Sequence, residues 1–132
     1  ALIKGFLDGT IDTIDSDHRP LDVDEKEIEF PNASFGGIQV QTVFSSFNTK
    51  FNSSIQQFIQ SISINSRKII NIKQHPVEEG NKADATLYDI SKTIELKHEN
   101  IKSKMSNTPF LNKKLTGKVL GIINENRYEL FE

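Results

Sequence analysis

The chain has 132 residues, of which 36% are hydrophobic and 26% charged, so its size and composition are those of one soluble domain or part of one. The absence of cysteine excludes disulfides, thiolate metal sites and a cysteine nucleophile. The formal net charge of −2 argues against a general nucleic-acid binder, and no apolar run approaches the roughly 18 residues of a membrane span.

The first part of the chain predicts little regular structure. Residues 1–8 carry apolar side chains at helical spacing, and Gly9 is placed to end that helix. Ile11–Ile14 predicts a short strand. A long polar stretch follows, and loops of such length are usually functional or disordered.

The middle of the chain predicts three helices. The first follows Gly36-Gly37 and has an apolar face from Ile38 to Phe47. The second begins at a cap formed by Asn52-Ser53-Ser54 and carries the apolar residues of Ile55–Ile62. Asn65 is predicted to cap a third, short helix that runs through Ile72.

The C-terminal part predicts strands. Residues 83–89 and 93–97 alternate between apolar and polar side chains, and residues 118–123 resemble a buried strand. A turn at 124–126 leads to a hairpin partner at 127–131. Because one strand cannot form a sheet, Ile11–Ile14 is expected to pair with these strands or with a segment outside this chain.

Charge is distributed unevenly. Seven acidic residues lie between Asp15 and Glu29, and six lysines with one glutamate lie between Lys97 and Lys118. Two solvated surface segments account for this pattern. A polyanion site in the lysine-rich segment is the alternative, although that segment lacks interleaved aromatics and arginine forks.

The strongest chemical signal is Ser16-Asp17-His18-Arg19-Pro20, directly after the predicted strand. Barrel enzymes place catalytic groups at the carboxyl ends of their strands, so Asp17 is a candidate. The alternative is an aspartate that caps a turn. The three histidines of the chain show no metal-ligand spacing.

Five sequence blocks resemble, in the same order, the dihydroorotases of the amidohydrolase superfamily. The blocks extend over essentially the whole chain. They are Asp8-Gly9-Thr10-Ile11-Asp12 with Ser16-Asp17-His18-Arg19-Pro20, Ala33-Ser34-Phe35-Gly36, Ile64-Asn65-Ser66-Arg67-Lys68-Ile69, Glu78-Glu79-Gly80-Asn81-Lys82-Ala83-Asp84-Ala85-Thr86-Leu87, and Lys102-Ser103-Lys104-Met105-Ser106-Asn107-Thr108-Pro109-Phe110 with Leu115-Thr116-Gly117-Lys118-Val119.

The resemblance implies an α/β fold that is the C-terminal portion of a (β/α)8 TIM-like barrel with part of a small β-sandwich. Residues 1–72 would hold the last barrel strand, the active-site loop and the terminal helices. Residues 73–132 would form the C-terminal part of the sandwich. The family's other sandwich strands and its His-x-His metal ligands are not among these residues, so we expect a longer parent chain and no activity from this segment alone.

The resemblance also implies a chemistry. Dihydroorotases interconvert N-carbamoyl-L-aspartate and dihydroorotate in pyrimidine biosynthesis, using zinc to activate water for attack on the ring carbonyl. By motif match Asp17 is the catalytic residue, which takes the proton from that water and delivers it to the leaving nitrogen, and it also approaches the metal. Phe35 and Gly36 would line the substrate.

This sequence departs from the family pattern near the site. Leu21 occupies the position of a histidine that binds the substrate carboxylate, and Arg19 replaces an alanine. Arg19 is therefore a candidate substrate-binding cation, with solvent or the acidic loop as its other possible surroundings. Ser34 replaces a proline, and Gln39–Gln41 replaces a Gly-x-Glu.

These departures leave two functional hypotheses open. The first is a cytoplasmic cyclic-amide hydrolase that acts on a small-molecule substrate. The second is a catalytically degenerate scaffold that partners aspartate transcarbamoylase. The expected partners are the remainder of the parent chain and either a second copy or a transcarbamoylase; neither nucleic acid nor a membrane is expected.

Overall fold

The computed structural model describes residues 1–51 and 55–131. Their α-helices, in chain order, are α1 Leu2–Leu7, α2 Val23–Lys26, α3 Val43–Phe51, α4 Ile55–Ile59 and α5 Asn65–Ile69, with a π-helical turn at Gln60–Ile64 and a 3₁₀ turn at His98–Asn100. None of the helices in these residues has the length and apolar character needed to cross a membrane.

Three antiparallel strands form one sheet in the order β1-β2-β3. Their bounds are Asp84–Glu95, Lys114–Asn124 and Arg127–Leu130. The tight turn between β2 and β3 has Glu125 at φ 54°, the left-handed conformation that such hairpin turns require. The hairpin predicted from the sequence is present.

Four phenylalanines form the centre of the hydrophobic core. Phe6 comes from α1, Phe44 and Phe47 from α3, and Phe58 from α4, and all four are buried. The Phe47 ring lies 5.2 Å from that of Phe6 and 4.7 Å from that of Phe58, measured between centroids. Phe44 also contacts Tyr88 of β1 at 4.2 Å, so the aromatic cluster joins the helices to the sheet.

Helix α3 is also joined to the sheet by hydrogen bonds from buried polar side chains. Ser45 Oγ donates to the carbonyl of Gly117 at 2.7 Å. Asn48 Nδ2 donates to the carbonyls of Ile90 and Thr116 at 2.9 and 3.0 Å. Ile90 lies where the pairing of β1 with β2 is interrupted between Asp89 and Thr93, so Asn48 satisfies a carbonyl that the sheet leaves unpaired.

Of the two partners expected for a strand at Ile11–Ile14, the C-terminal strands are wrong, and a segment outside this chain stays a prediction. Within the described residues no segment pairs with it along its length; instead Ile11 N–H donates to Gly5 O, and Asp12 O accepts from Asn65 Nδ2. Ile11 and Ile14 still pack against the phenylalanine cluster. The segment therefore supplies core contacts without strand pairing.

The helices also begin and end differently from the prediction. The helix expected after Gly36-Gly37 begins only at Val43, because the preceding N–H groups bond to other segments, as described below. Asn65 does not cap a separate helix, since the residue before it is already helical and its side chain bonds to Asp12. That helix ends at Ile69, shortly before Asn71 at φ 57°. The predicted cap Asn52-Ser53-Ser54 lies outside the described residues.

The two strands predicted at 83–89 and 93–97 form the single strand β1. The interruption arises because Asp89 Oδ1 accepts hydrogen bonds from the N–H groups of Ser91 and Lys92 at 2.9 and 3.0 Å. The proposed boundary between residues 72 and 73 stays a prediction. The aromatic core draws on residues from both sides of it.

We predict that Gly117→Ala destabilises the protein more than Gly9→Ala. Both glycines have positive φ, +103° and +80°, where a Cβ costs about 1–2 kcal/mol. A Cβ at Gly117 would also lie 2.8 Å from Phe44 Cε1, whereas nothing lies within 4 Å of one at Gly9. Overpacking should add about 1–3 kcal/mol at Gly117 alone, as measured by denaturant unfolding. Equal losses would show that α3 does not pack tightly on β2.

We predict that Lys82→Met raises the pKa of the Glu125 carboxyl toward its ordinary range. The hydrogen bond from Lys82 Nζ, 2.8 Å from Glu125 Oε1, and its positive charge lower the Glu125 pKa. An acid with a lowered pKa adds stability above its unfolded pKa, and that contribution is lost as pH falls through the folded pKa. NMR titration of Glu125 measures the shift, and Lys92→Met is the control. An unchanged Glu125 pKa would contradict the ion pair.

Candidate functional site

Asp17 lies on a tight turn in a left-handed backbone conformation. Its φ is 42°, and its N–H donates to Asp15 Oδ1 at 2.8 Å. The turn is thus closed by the Asp15 side chain, while the Asp17 side chain is exposed. In the described part of the chain, no hydrogen bond or ion pair engages the Asp17 carboxylate, so it is free to act on another group.

The next residues are joined to a second segment, Gly37–Val40. His18 and Gly37 form a parallel bridge, and Arg19 N–H donates to Gly37 O at 2.9 Å. His18 Nδ1 accepts from the N–H groups of Gln39 and Val40 at 3.0 and 3.2 Å. An Nδ1 that accepts carries no proton, so these bonds select the tautomer with its proton on Nε2. We call this set of hydrogen bonds the His18 junction.

The His18 junction brings Arg19 against Gly36. Gly36 has φ +138°, and a Cβ there would lie 3.0 Å from Arg19 Cβ and Cδ. Only glycine therefore fits beneath the Arg19 stem. The Arg19 guanidinium makes no ion pair within residues 1–51 and 55–131, and the neighbouring Phe35 side chain is 89% exposed. The Arg19 guanidinium and the Phe35 ring are thus both available to a ligand near the segment that carries Asp17.

The acidic loop between these two segments contains helix α2. Asp22 and Glu25 form a reciprocal capping box at its start. Lys26 Nζ then donates to Ser34 O at 2.8 Å and to Gly36 O at 3.3 Å. Lys26 thereby folds the loop back onto its own end, and Phe35 and Gly36 are held in place.

Asn107, from the C-terminal part of the chain, contacts the glycine-containing segment Phe35–Gly37, which we call the Phe35–Gly37 turn. Its main-chain O accepts from Ile38 N–H at 2.8 Å, and its Nδ2 donates to Gly36 O at 3.3 Å. Its Oδ1 is buried and has no hydrogen-bond partner in the described residues. The Asn107 amide therefore donates to the Gly36 carbonyl, while its own oxygen stays unpaired among the described residues.

Leu21 lies in the interior with only 7% of its surface exposed. Leu21, which the resemblance places at the position of a carboxylate-binding histidine, is therefore a packing residue. Arg19, the cation predicted from the sequence to bind a carboxylate, is exposed.

Asp17 supplies one oxygen donor of the kind that zinc accepts. Residues 1–51 and 55–131 contain no group of three His, Asp or Glu side chains that could hold a metal ion. Two surface cavities of about 290 and 560 Å³ lie at the far end of the sheet, and neither is lined by Asp17, Arg19, Phe35 or Gly36. In the described residues, the candidate site is an open surface rather than an enclosed cavity.

The structure thus brings together the segments that carry the four residues predicted from sequence. Sequence reasoning missed two others that hold them, Lys26 and Asn107. The signal for Lys26 was the capping box Asp22-x-x-Glu25, which predicts a helix inside the acidic loop. Asn107 stood within a recognised block, but nothing in the sequence linked it to Gly36.

Comparison with known proteins was made by sequence and by structure. No family model matches the chain. It is 40% identical over 127 residues to a dihydroorotase of Caldicellulosiruptor saccharolyticus, covering 93% of this chain and 30% of that protein. It is 38% identical over 121 residues to a dihydroorotase of Fusobacterium nucleatum, covering 89% and 28%. The chain spans about 30% of the length of the curated relatives it matches.

Solved structures match the fold with little sequence identity. An L-hydantoinase (dihydropyrimidinase) from Arthrobacter aurescens superimposes with a TM-score of 0.82 at 19% identity, covering 99% of this chain and 32% of that one. A D-hydantoinase from Thermus sp. gives 0.83 at 19% identity, covering 98% and 30%. These proteins are TIM-barrel amidohydrolases, and the predicted fold class is confirmed.

The motifs, the fold and the sequence relatives agree, and the chain belongs to the dihydroorotase family of the amidohydrolase superfamily.

Proposed function

We propose that this chain contributes the proton-transfer and substrate-carboxylate groups of a zinc-dependent dihydroorotase, which interconverts N-carbamoyl-L-aspartate and dihydroorotate. The observation that carries the proposal is the exposed carboxylate of Asp17, which has no partner among the described residues. Its segment is hydrogen-bonded to the residues that follow Phe35 and Gly36. The family is metal-dependent, and in this proposal the other metal ligands come from outside the described residues.

Asp17 performs the proton transfer in this proposal. Zinc, if held beside Asp17, would supply water of lowered pKa. The Asp17 carboxylate would hold the proton that the attacking water gives up and pass it to the ring nitrogen as the amide bond breaks. Since no hydrogen bond or ion pair of the described residues occupies this carboxylate, it can change partners during the reaction without breaking an internal contact.

Arg19 binds the carboxylate of the substrate. A guanidinium pairs with a carboxylate through two parallel hydrogen bonds. The Arg19 stem lies on Gly36, which limits the directions in which the guanidinium can point. Phe35 offers an exposed ring to the substrate, and Gly36 lets the backbone approach closely.

A second candidate function is a scaffold without catalysis that binds an aspartate transcarbamoylase. The observation that favours it is the buried Leu21 in place of the family's carboxylate-binding histidine. The two candidates differ in whether the full-length protein holds zinc and turns over substrate. A homodimer fits either candidate.

We predict that Asp17→Asn lowers kcat for dihydroorotate about a thousandfold in the full-length protein, because an amide cannot accept the proton. Asparagine tolerates the positive φ of this position, so the backbone should be retained. Steady-state kinetics measures the effect. Asp24→Asn, an exposed carboxylate of α2, is the control and should leave kcat unchanged. Normal turnover by Asp17→Asn would remove Asp17 from this role.

We predict that Arg19→Met raises KM for dihydroorotate about 10- to 100-fold, because the variant loses a hydrogen bond to the charged carboxylate of the substrate. Methionine keeps an unbranched stem to pack on Gly36. The KM of Arg19→Met for dihydrouracil, which has the same ring without the carboxylate, should not rise. Arg127→Met on β3 is the control variant, and its KM for dihydroorotate should not rise either. An equal rise for both substrates would mean that Arg19 acts through the loop and not through the carboxylate.

A further inference from the structure

We propose that Asn107 is a positioning residue that clamps the Phe35–Gly37 turn from the C-terminal part of the chain. This inference deepens the proposed hydrolase function and rests on it for its kinetic consequence. Asn107 lies neither in the acidic loop nor beside Asp17 in the sequence.

The turn needs a clamp because of its composition. Gly36 and Gly37 are adjacent, and two consecutive glycines have more backbone freedom than any other pair. Gly36 is at φ +138°. A substrate-lining turn of this kind must be ordered either before or during binding, and ordering it during binding weakens affinity.

Asn107 contacts the turn on both sides of Gly37. Its Nδ2 donates to Gly36 O at 3.3 Å, and its main-chain O accepts from Ile38 N–H at 2.8 Å. A Cβ on Gly37 would lie 3.1 Å from that same main-chain O, so the two backbones are in close contact. Asn107 thus bonds both to the carbonyl before Gly37, which Lys26 Nζ shares at 3.3 Å, and to the N–H after it.

The unpaired atom of Asn107 indicates what the amide does. Only Nδ2 can face the Gly36 carbonyl, because Oδ1 would repel it, so the orientation of the amide is determined. Oδ1 is then buried without a hydrogen-bond partner in the described residues. A side chain present only to fill space would be better apolar, and the amide is explained by the bond that Nδ2 makes to Gly36.

The test compares Asn107→Asp with Asn81→Asp in the full-length, zinc-loaded protein. Aspartate has the shape of asparagine and lacks the donor. Asn81 is the matched control, because its Nδ2 also donates to a carbonyl, that of Pro76 at 3.2 Å, in an exposed part of the chain. Asn107→Ser, which is neutral and smaller, is the second variant in case the new charge prevents folding.

We expect both Asn107 variants to raise KM for dihydroorotate about tenfold with kcat nearly unchanged, because the loss is in binding. We also expect the Ile38 amide to exchange hydrogen about tenfold faster than in Asn81→Asp, since its acceptor becomes mobile. Faster exchange with an unchanged KM would overturn the positioning role, and exchange equal to that of the control would overturn the clamp. If the unsubstituted protein has no turnover, the proposed function fails and the exchange experiment alone decides the clamp.

Discussion

The candidate site depends on the His18 junction, in which a residue next to Asp17 binds the backbone of a segment about twenty positions away along the chain. His18 Nδ1 accepts two N–H groups there, and Arg19 N–H donates to Gly37. Without these bonds the Asp17 turn and the Phe35–Gly37 turn would be only the two ends of a long acidic loop. With them, a carboxylate, a guanidinium and an exposed ring belong to one joined pair of segments.

The rest of the fold holds this junction in place from the opposite side. Residues that follow the junction lead directly into α3, and α3 is fixed to the sheet by Phe44 and by the hydrogen bonds of Ser45 and Asn48. The close approach at Gly117 sets the distance between α3 and β2. Asn107 then joins the segment before β2 to the same turn. The site is therefore supported by residues from the middle and the C-terminal part of the chain.

Local patterns predicted the elements whose side chains repeat regularly. Helix α1, the α4–α5 region, the β2–β3 hairpin and the family motifs could all be read from the sequence, because periodicity and turn residues are local signals. The start of α3 could not, since residues 38–40 give their N–H groups to His18 and Asn107. The pairing of Ile11–Ile14 with the C-terminal strands was wrong, because strand pairing depends on a neighbour that local sequence does not specify. Asp17, Arg19, Phe35 and Gly36 were predicted by resemblance. The capping box beside Lys26 indicates a helix but not the contact of Lys26 with Gly36, and no motif indicates the contact of Asn107, 71 positions away.

We propose that a protein carrying this chain is a metal-dependent hydrolase and not a scaffold. The most direct measurement determines zinc content and dihydroorotate hydrolysis on the same preparation of full-length protein. The account predicts stoichiometric zinc and turnover that disappears when zinc is removed and returns when it is restored. A folded protein that binds no zinc and hydrolyses no dihydroorotate would contradict it.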